Sequence, residues 1–560
     1  MSITEQAHRH YERGIPWEIE LPTKSLYFNL VEAARFYGQR PAINFFGANL
    51  NYAQLHELVD KAATVFYRAG VRRGDVVAVC LPNCPQHLVV FYALARIGAV
   101  AAEHNPLAPA AELAGQVRRH GGRVAVVWEN SVPSFTGEND LGFETVFAVD
   151  LTYHMPRSKR ALLALPLAKA KATRAQMRAD VPESVRSFDE EVARAARIRP
   201  HVEHARVQDI AAILHTGGTN GVPKSVPLSH LNIGANAAQN LAWAHRLHEG
   251  AETFFSLLPY FHSFGLTFFM VCAVKIAAHQ VVLPKFDVDL CLQMHRKDPV
   301  TFFVGVPAMF SRMAKAAREQ KVDITSIRYA ISGAMSLPDE VAAQWEKQTN
   351  GIIVEGYGMT ETSPTMTGSP INASRRHGTL GVPFPSTLMR LGDLDDPDRE
   401  PPAGEVGEIL VKGPQVFSGY LHAPEETAAA FTSDGYFRTG DIGRVDDGFI
   451  ILADRRKELI LSGGFNVYPS QVEAAIRSMP QIEDVAVVGI PTADSEDVVA
   501  AVVAADPLRP PTLEQVRAWA QKELPHYALP RRLEVIDHLP HSQIGKVMRR
   551  AVREQIMGKK

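Results

Sequence analysis

Short β-branched apolar runs recur along this chain between amphipathic stretches, and that alternation constrains its fold more than any other feature. VVAV near Val77 precedes HLVVFYALARIGA, VAVVW follows, and DIAAIL, TFFSLL, QVVL, TFFVGV and IRYAIS continue the rhythm. The pattern predicts α/β layers around parallel strands. From about Gly404 the texture changes to GEILVKG and GRVDDGFIILADRRKELIL, with closely spaced Gly and Asp, which predicts antiparallel hairpins. After Arg455 it changes again: VYPSQVEAAIRSM and TLEQVRAWAQKEL read as helices, with strand-like VAVVGI and VVAAVVAA between them. The fold class expected is α/β, in two parts. A large N-terminal region over residues 1–454 would hold mixed and parallel sheets flanked by helices, plus a β-rich subdomain; a small mobile α+β domain would follow over 455–560. The charged Asp454–Glu458 segment is the expected connector, because a charge-rich linker crosses few core contacts.

Composition excludes several function classes. A formal net charge of -2 leaves no global field for nucleic acid, so an anion must be bound locally. Four cysteines, at 80, 84, 272 and 291, are too few for a disulfide scaffold and suggest a reducing compartment. Cys80 and Cys84 invite a zinc site, but VVAVCLPNC reads better as a strand entering a turn. No apolar signal segment is visible near the start, so the expected location is cytoplasmic. The apolar run Gly265 to Leu283 carries Lys275 near its middle and reads as a buried helix followed by a strand. Between Arg157 and Arg178 lie seven basic residues and no acidic one, interleaved with Leu, Ala and Met. A solvated rim helix explains this segment; a sharper reading is peripheral contact with anionic lipid at the inner membrane face.

The strongest chemical signal is His215-Thr-Gly-Gly-Thr-Asn-Gly-Val-Pro-Lys224, between an apolar run and a helix-like stretch. Glycines let backbone N–H groups approach phosphate oxygens, hydroxyls donate further bonds, and the lysine adds a point charge. Its spacing is not that of a Walker A loop, and Pro223 disfavours helical geometry at Val222. Downstream stand LPYFHSFGL, GVPAMF, ISGAMSLP, EGYGMTETSP, YFRTGD, DRRKELILSGGFNVYP and HSQIGK, in that order. Together these closely resemble the signature segments of the adenylate-forming superfamily of acyl-CoA synthetases, luciferases and peptide-synthetase adenylation domains. GFNVYP with PLSH and TGGT is most similar to the bacterial long-chain fatty acyl-CoA ligases.

The resemblance implies ATP, magnesium and coenzyme A as cofactors or co-substrates, and a fatty acid as substrate. It implies that Thr216, Gly217, Gly218, Thr219, Asn220, Gly221 and Lys224 hold the β- and γ-phosphates of ATP. Tyr357 would stack on adenine, with Gly333 and Ala334 closing the other face and Glu355, Gly356 and Gly358 completing the nucleotide segment. Thr360 would donate to the α-phosphate and Glu361 would ligate magnesium. Asp441 would accept from the ribose hydroxyls, with Arg455 in support. Lys546 would neutralise charge as a carboxylate attacks the α-phosphorus. His262 would shift between the two half-reactions, and a hinge at Lys457 would bring Gly463 and Gly464 towards pantetheine. The acyl tail is expected among Phe261, Phe264, Leu266, Phe303 and Val304. Homodimerisation is a further expectation.

Two departures stand out. Where relatives often have threonine and glycine in the phosphate loop, this chain has Asn220 and Ser225; before Gly-Lys, where many have serine, it has Ile544. Rival readings are an acyl-AMP ligase serving a carrier protein, a CoA ligase for a medium-chain, aryl or dicarboxylic acid, and an inactive nucleotide-binding relative.

Overall fold

The computed structural model describes residues 2–137, 140–216, 224–455, 458–462, 465–492, 496–542 and 546–558. Two large sheets carry the N-terminal region. One has nine strands in the order Val382–Pro383, Thr365–Gly368, Ile352–Gly358, Tyr329–Ser332, Phe302–Gly305, Thr253–Ser256, His279–Val282, Pro41–Phe45 and Ala48–Asn51. Its six central strands are parallel and antiparallel pairs close it at both ends. The other has seven strands, from Arg186–Ser187 to the hairpin Ile210–Thr216 and Lys224–Ser229, parallel except in that hairpin.

The β-branched runs read above are these central strands. Helices on both faces exclude water from alternate side chains in either direction, which explains why VVAVC and FFVG are apolar throughout rather than alternating. The run after Gly265 forms a buried helix with a π-helical turn at Leu266–Cys272, then the strand His279–Val282. Lys275 lies in its last turn and is exposed, so the charge ends the helix rather than interrupting it. All four cysteines are free and buried, and burial pushes the Cys80 and Cys84 thiols up, out of the reactive range. Among the described residues no group of three His, Cys, Asp or Glu is placed to hold a metal, and no helix is long and apolar enough to cross a membrane.

The Gly404 texture becomes a four-stranded antiparallel sheet of Leu388–Gly392, Gly407–Lys412, Phe437–Asp446 and Phe449–Arg455. Beyond it, Ile482–Pro491, Glu496–Ala504 and Arg532–Val535 form a three-stranded sheet. Its strands alternate between two cores. Val485, Val487, Val498, Ala500 and Val502 face helices Pro469–Arg477 and Leu513–Ala520; Ala486, Val488, Val499 and Ala501 face helix Arg549–Met557. That last helix escapes the sequence reading because only Val552 and Ile556 of RRAVREQIM are buried.

One expectation needs correction. Asp454 opens the charged connector, yet its side chain is buried and accepts from the Ser470 N–H at 2.7 Å and hydroxyl at 3.2 Å. Arg549 lies within 3.9 Å of it, pairs with Glu458, and donates to both Glu473 oxygens at 2.7 and 2.6 Å and to Ser470 Oγ at 2.8 Å. Two of the charges that suggested a solvated linker, Asp454 and Glu458, are instead drawn into one ionic cluster around Arg549. Truncating Arg549 to Met removes the cation that Glu458 and Glu473 pair with and is expected to cost about 3 kcal/mol or more in urea unfolding. A loss below about 1 kcal/mol would show the cluster to be a solvated surface network.

Candidate nucleotide and acyl site

Site residues gather at the C-terminal ends of the parallel strands, where an open α/β sheet leaves its crevice. Strand Tyr329–Ser332 delivers Gly333 and Ala334, and Ile352–Gly358 delivers Glu355, Gly356, Tyr357 and Gly358. Strand Thr253–Ser256 leads to His262. A Cβ at Gly333 would stand 2.8 Å from the tip of the Phe264 ring, so a side chain there would have to displace that ring. Ala334 is held left-handed at φ 66°, a conformation that costs a residue with a Cβ roughly 1 kcal/mol. Glu355 bonds the Leu337 N–H at 2.8 Å, and burial pushes its carboxyl up to about 7.

Two contacts join this edge to the other sheets. The Tyr357 hydroxyl donates to Asp441 Oδ2 at 2.5 Å, across 84 residues of sequence. Asp441 is aimed by an irregularity in strand Phe437–Asp446, where Gly440 has φ 73° and the Asp441 N–H donates to Thr439 Oγ1 at 3.0 Å. Arg455 stands directly opposite Asp441 on the neighbouring strand. The second contact runs from the loop hairpin. Lys224 Nζ lies 4.0 Å from the centre of the Tyr420 ring, and Tyr420 donates its hydroxyl to Glu361 Oε1 at 3.0 Å. Burial and the Glu361 charge push that phenol up, so it stays a donor. Thr360 and Glu361 lie on a buried turn, pinned by the Thr267 hydroxyl on Ser363 O at 2.7 Å and by Ser363 Oγ on Gln415 O at 2.9 Å.

Tyr420 is the residue the sequence reading missed. Its only signal is an aromatic after glycine in SGYLHAPEE, and nothing local shows that it bridges a lysine and a carboxylate.

His262 caps the buried helix, its Nδ1 accepting the Phe264 N–H at 3.3 Å, and burial carries it down to about 4, so the ring is neutral. Phe264 then packs on Gly333, which joins this segment to the nucleotide edge. Leu266, Phe303 and Val304 are fully buried, and Phe303 packs against Phe310 and Trp345 at 5.0 and 5.4 Å between ring centres. Phe303 is therefore core rather than a tunnel wall. The Lys546 N–H donates to Ser542 Oγ at 3.1 Å and the Lys546 carbonyl accepts from the Ser542 N–H at 2.7 Å. Gly217, Gly218, Thr219, Asn220, Gly221, Lys457, Gly463, Gly464 and Ile544 lie outside the described residues.

Chemically, the crevice offers an aromatic face beside a buried carboxylate, a lysine at a loop base, and a second carboxylate next to a threonine. A lone carboxylate suits magnesium that arrives with a nucleotide, because that ion keeps water and phosphate oxygens as its other ligands.

Protonation sets a pH window. His104, His120, His154, His215, His230 and His262 are carried by burial to between about 2 and about 4. Below the ordinary imidazole value of about 6.5 the unfolded chain takes protons these rings refuse, so their contribution is lost as pH falls. Glu129, Asp189 and Glu355, pushed up to about 7, act oppositely, holding protons that the unfolded chain releases. The balance leaves roughly two to three protons taken up on unfolding near pH ~5.5. Urea midpoints should therefore fall as pH is lowered from about 7 to 5.5; a flat or rising series would contradict this.

Residues 30–421 match the model of the AMP-binding enzyme family, and residues 471–546 match the AMP-binding enzyme C-terminal domain. The chain is 34% identical to a long-chain-fatty-acid–CoA ligase of Bacillus subtilis, over 97% of each chain. ATP-bound MatB from Rhodopseudomonas palustris superposes with a TM-score of 0.79 at 28% identity, covering 95% of this chain and 99% of that one. The Mycobacterium tuberculosis fatty acyl CoA synthetase gives 0.71 at 26% identity over 96% and 99%. With both its large region and its tail matched in order, this chain belongs to the family of AMP-binding enzymes.

Proposed function

We propose that this protein is an AMP-forming acyl-CoA synthetase, which activates a medium- to long-chain fatty acid with ATP and transfers the acyl group to coenzyme A. The observation that carries this reading is the meeting of three sheets at one edge, where Tyr357 contacts Asp441 and Lys224 contacts Tyr420 above Glu361. The near full-length likeness to a long-chain ligase supports the substrate class.

In this reading the Tyr357 ring lies on adenine, and Asp441 accepts from the ribose hydroxyls, with Arg455 across the strand pair. Thr216, Lys224 and the loop between them hold the β- and γ-phosphates. Glu361 would hold magnesium, which supplies charge neutralisation on the phosphates when bound. Thr360 donates to the α-phosphate, keeping its phosphorus in line with the incoming acid. A carboxylate oxygen of the acid bonds to that phosphorus and pyrophosphate leaves with the electron pair. Lys546 neutralises the negative charge that builds between two anions in this step. The CoA sulfur then bonds to the acyl carbon and AMP departs as a good leaving group. Rotation of residues 455–560 about Lys457 would withdraw Lys546 between the steps, and neutral His262 is placed to move as the thiol enters. Phe261 and Phe264 would flank the start of the acyl chain.

Pyrophosphate release across acids of graded length tests the function: it should rise with length and break at one length, since each buried methylene adds about 0.8 kcal/mol until the site ends. Lys546→Ala should lower adenylation by about two to three powers of ten and spare thioester formation from supplied acyl-AMP. Equal loss in both half-reactions would reject the assignment.

We also place a cytoplasmic membrane contact at the basic segment. It forms two helices, Arg157–Ala164 and Ala168–Ala175; Leu162 in the last turn of the first and Leu165 and Leu167 in the connection are exposed at 58, 42 and 58%. Leucines at the tip of a hairpin with no acidic residue match an anionic lipid surface, where a fatty acid also partitions. Co-sedimentation with phosphatidylserine vesicles should weaken in salt and in a Leu162→Ser/Leu167→Ser variant; binding indifferent to anionic lipid and salt would exclude the contact.

A further inference from the structure

Three clustered imidazoles stand at the base of the 216–224 loop, His104 and His215 stacked and His120 tilted against them, and nothing in the chemistry above uses them. His104 follows strand Val100–Glu103, His120 ends helix Ala110–His120, and His215 immediately precedes Thr216. The His104 and His215 rings are 4.8 Å apart at 23°, and His104 and His120 are 5.1 Å apart.

Their hydrogen bonds settle two tautomers. Gln116 donates its amide to Glu112 at 3.1 Å, so its oxygen accepts from His104 Nδ1–H at 2.8 Å. His104 Nε2 must then accept, which makes His120 Nε2–H the donor at 3.0 Å. The His120 Nδ1 in turn accepts from the Gly122 N–H at 3.1 Å. A second proton on either ring would set donor against donor, so this pair stays neutral, with Arg119 the nearby charge on the same helix.

His215 rests on the pair and reaches Ser225 Oγ through Nδ1 at 3.1 Å. His215 and Ser225 are direct cross-strand partners, and the next pair is Thr216 with Lys224. The Ser225 carbonyl also accepts from the Leu421 N–H at 3.0 Å, beside Tyr420.

We propose that His104, His120 and His215 are positioning residues that hold the base of the phosphate loop in register, with the Ser225 hydroxyl as their latch. The inference rests on the reading of that loop as the triphosphate site. A base ordered in the free protein removes part of the ordering cost from ATP binding, so the latch should act on ATP capture above all.

The test is steady-state kinetics of the full chain with Ser225→Ala, His215→Phe, which keeps a flat ring in the stack, and the double variant. Each single change should raise KM for ATP about fivefold, as expected for one lost buried hydrogen bond, while KM for the acid and for CoA hold. The double variant should be no worse than either single one, because both remove the same bond. An unchanged KM for ATP in both single variants, or an equal rise in all three KM values, overturns the proposal. Lys224→Ala separates the two levels of inference: if it raises KM for ATP and the latch variants do not, only the latch fails. If Lys224→Ala also leaves KM for ATP unchanged, the loop reading falls and the latch with it.

Discussion

The assembly of this crevice depends on one helix, His230–Trp243, and on the polar groups it buries. Asn232, Asn236, Gln239 and Asn240 recur at helical spacing on one face and are all buried. Asn236 exchanges hydrogen bonds with the Thr365 backbone, at 2.6 Å from its amide and 3.2 Å to its oxygen. Asn232 donates to Pro414 O and Val416 O at 2.9 Å each, and Gln239 donates to Pro385 O at 2.8 Å and Gln415 Oε1 at 3.0 Å. These carbonyls belong to the ends of the nine-stranded sheet and to loops of the antiparallel sheet. A buried amide without its partner costs several times what the bond contributes, so each one selects a single arrangement of the sheets it touches.

That constraint reaches the site directly. The helix follows the hairpin that carries Lys224, and its cap is the reciprocal pair Ser229 and Asn232. Gln415, bonded to Gln239, lies next to the segment whose Phe417 N–H holds Glu361 O at 2.9 Å and whose Tyr420 reaches the Glu361 carboxylate. A side chain chosen for packing thereby sets the separation between a lysine on one sheet and a carboxylate on another. The tail region is organised differently. Its sheet is covered on both faces by its own helices, and Arg549 gathers Asp454, Glu458 and Glu473 where the two regions join.

Much of the architecture was legible in short-range pattern. The parallel strands, the antiparallel hairpins after Gly404 and the two tail helices all follow from periodicity and turn residues. The helix Arg549–Met557 was not: its buried stripe is only Val552 and Ile556, one helical turn apart in a stretch that is otherwise mostly charged, and a reading led by apolar runs passes over it. The connector at Asp454 misled for a related reason: charge density reports solvation only when no partner is near, and partners 16 and 95 positions away cannot be read locally. Phe303 shows the same limit, since an aromatic before GVPAMF reads equally as core or as tunnel until Trp345 is seen against it.

By itself the sequence marked out the candidate segments, because glycine-rich, hydroxyl-rich and aromatic–acidic stretches are written contiguously and their order is that of a family. The tertiary structure alone decided which of them meet. Tyr357 with Asp441, Lys224 with Tyr420 and Glu361, and His215 with His104 and Ser225 include contacts that close gaps of tens to hundreds of residues. Such contacts depend on sheet order and on buried hydrogen bonds being satisfied together, and neither property resides in any one stretch of chain.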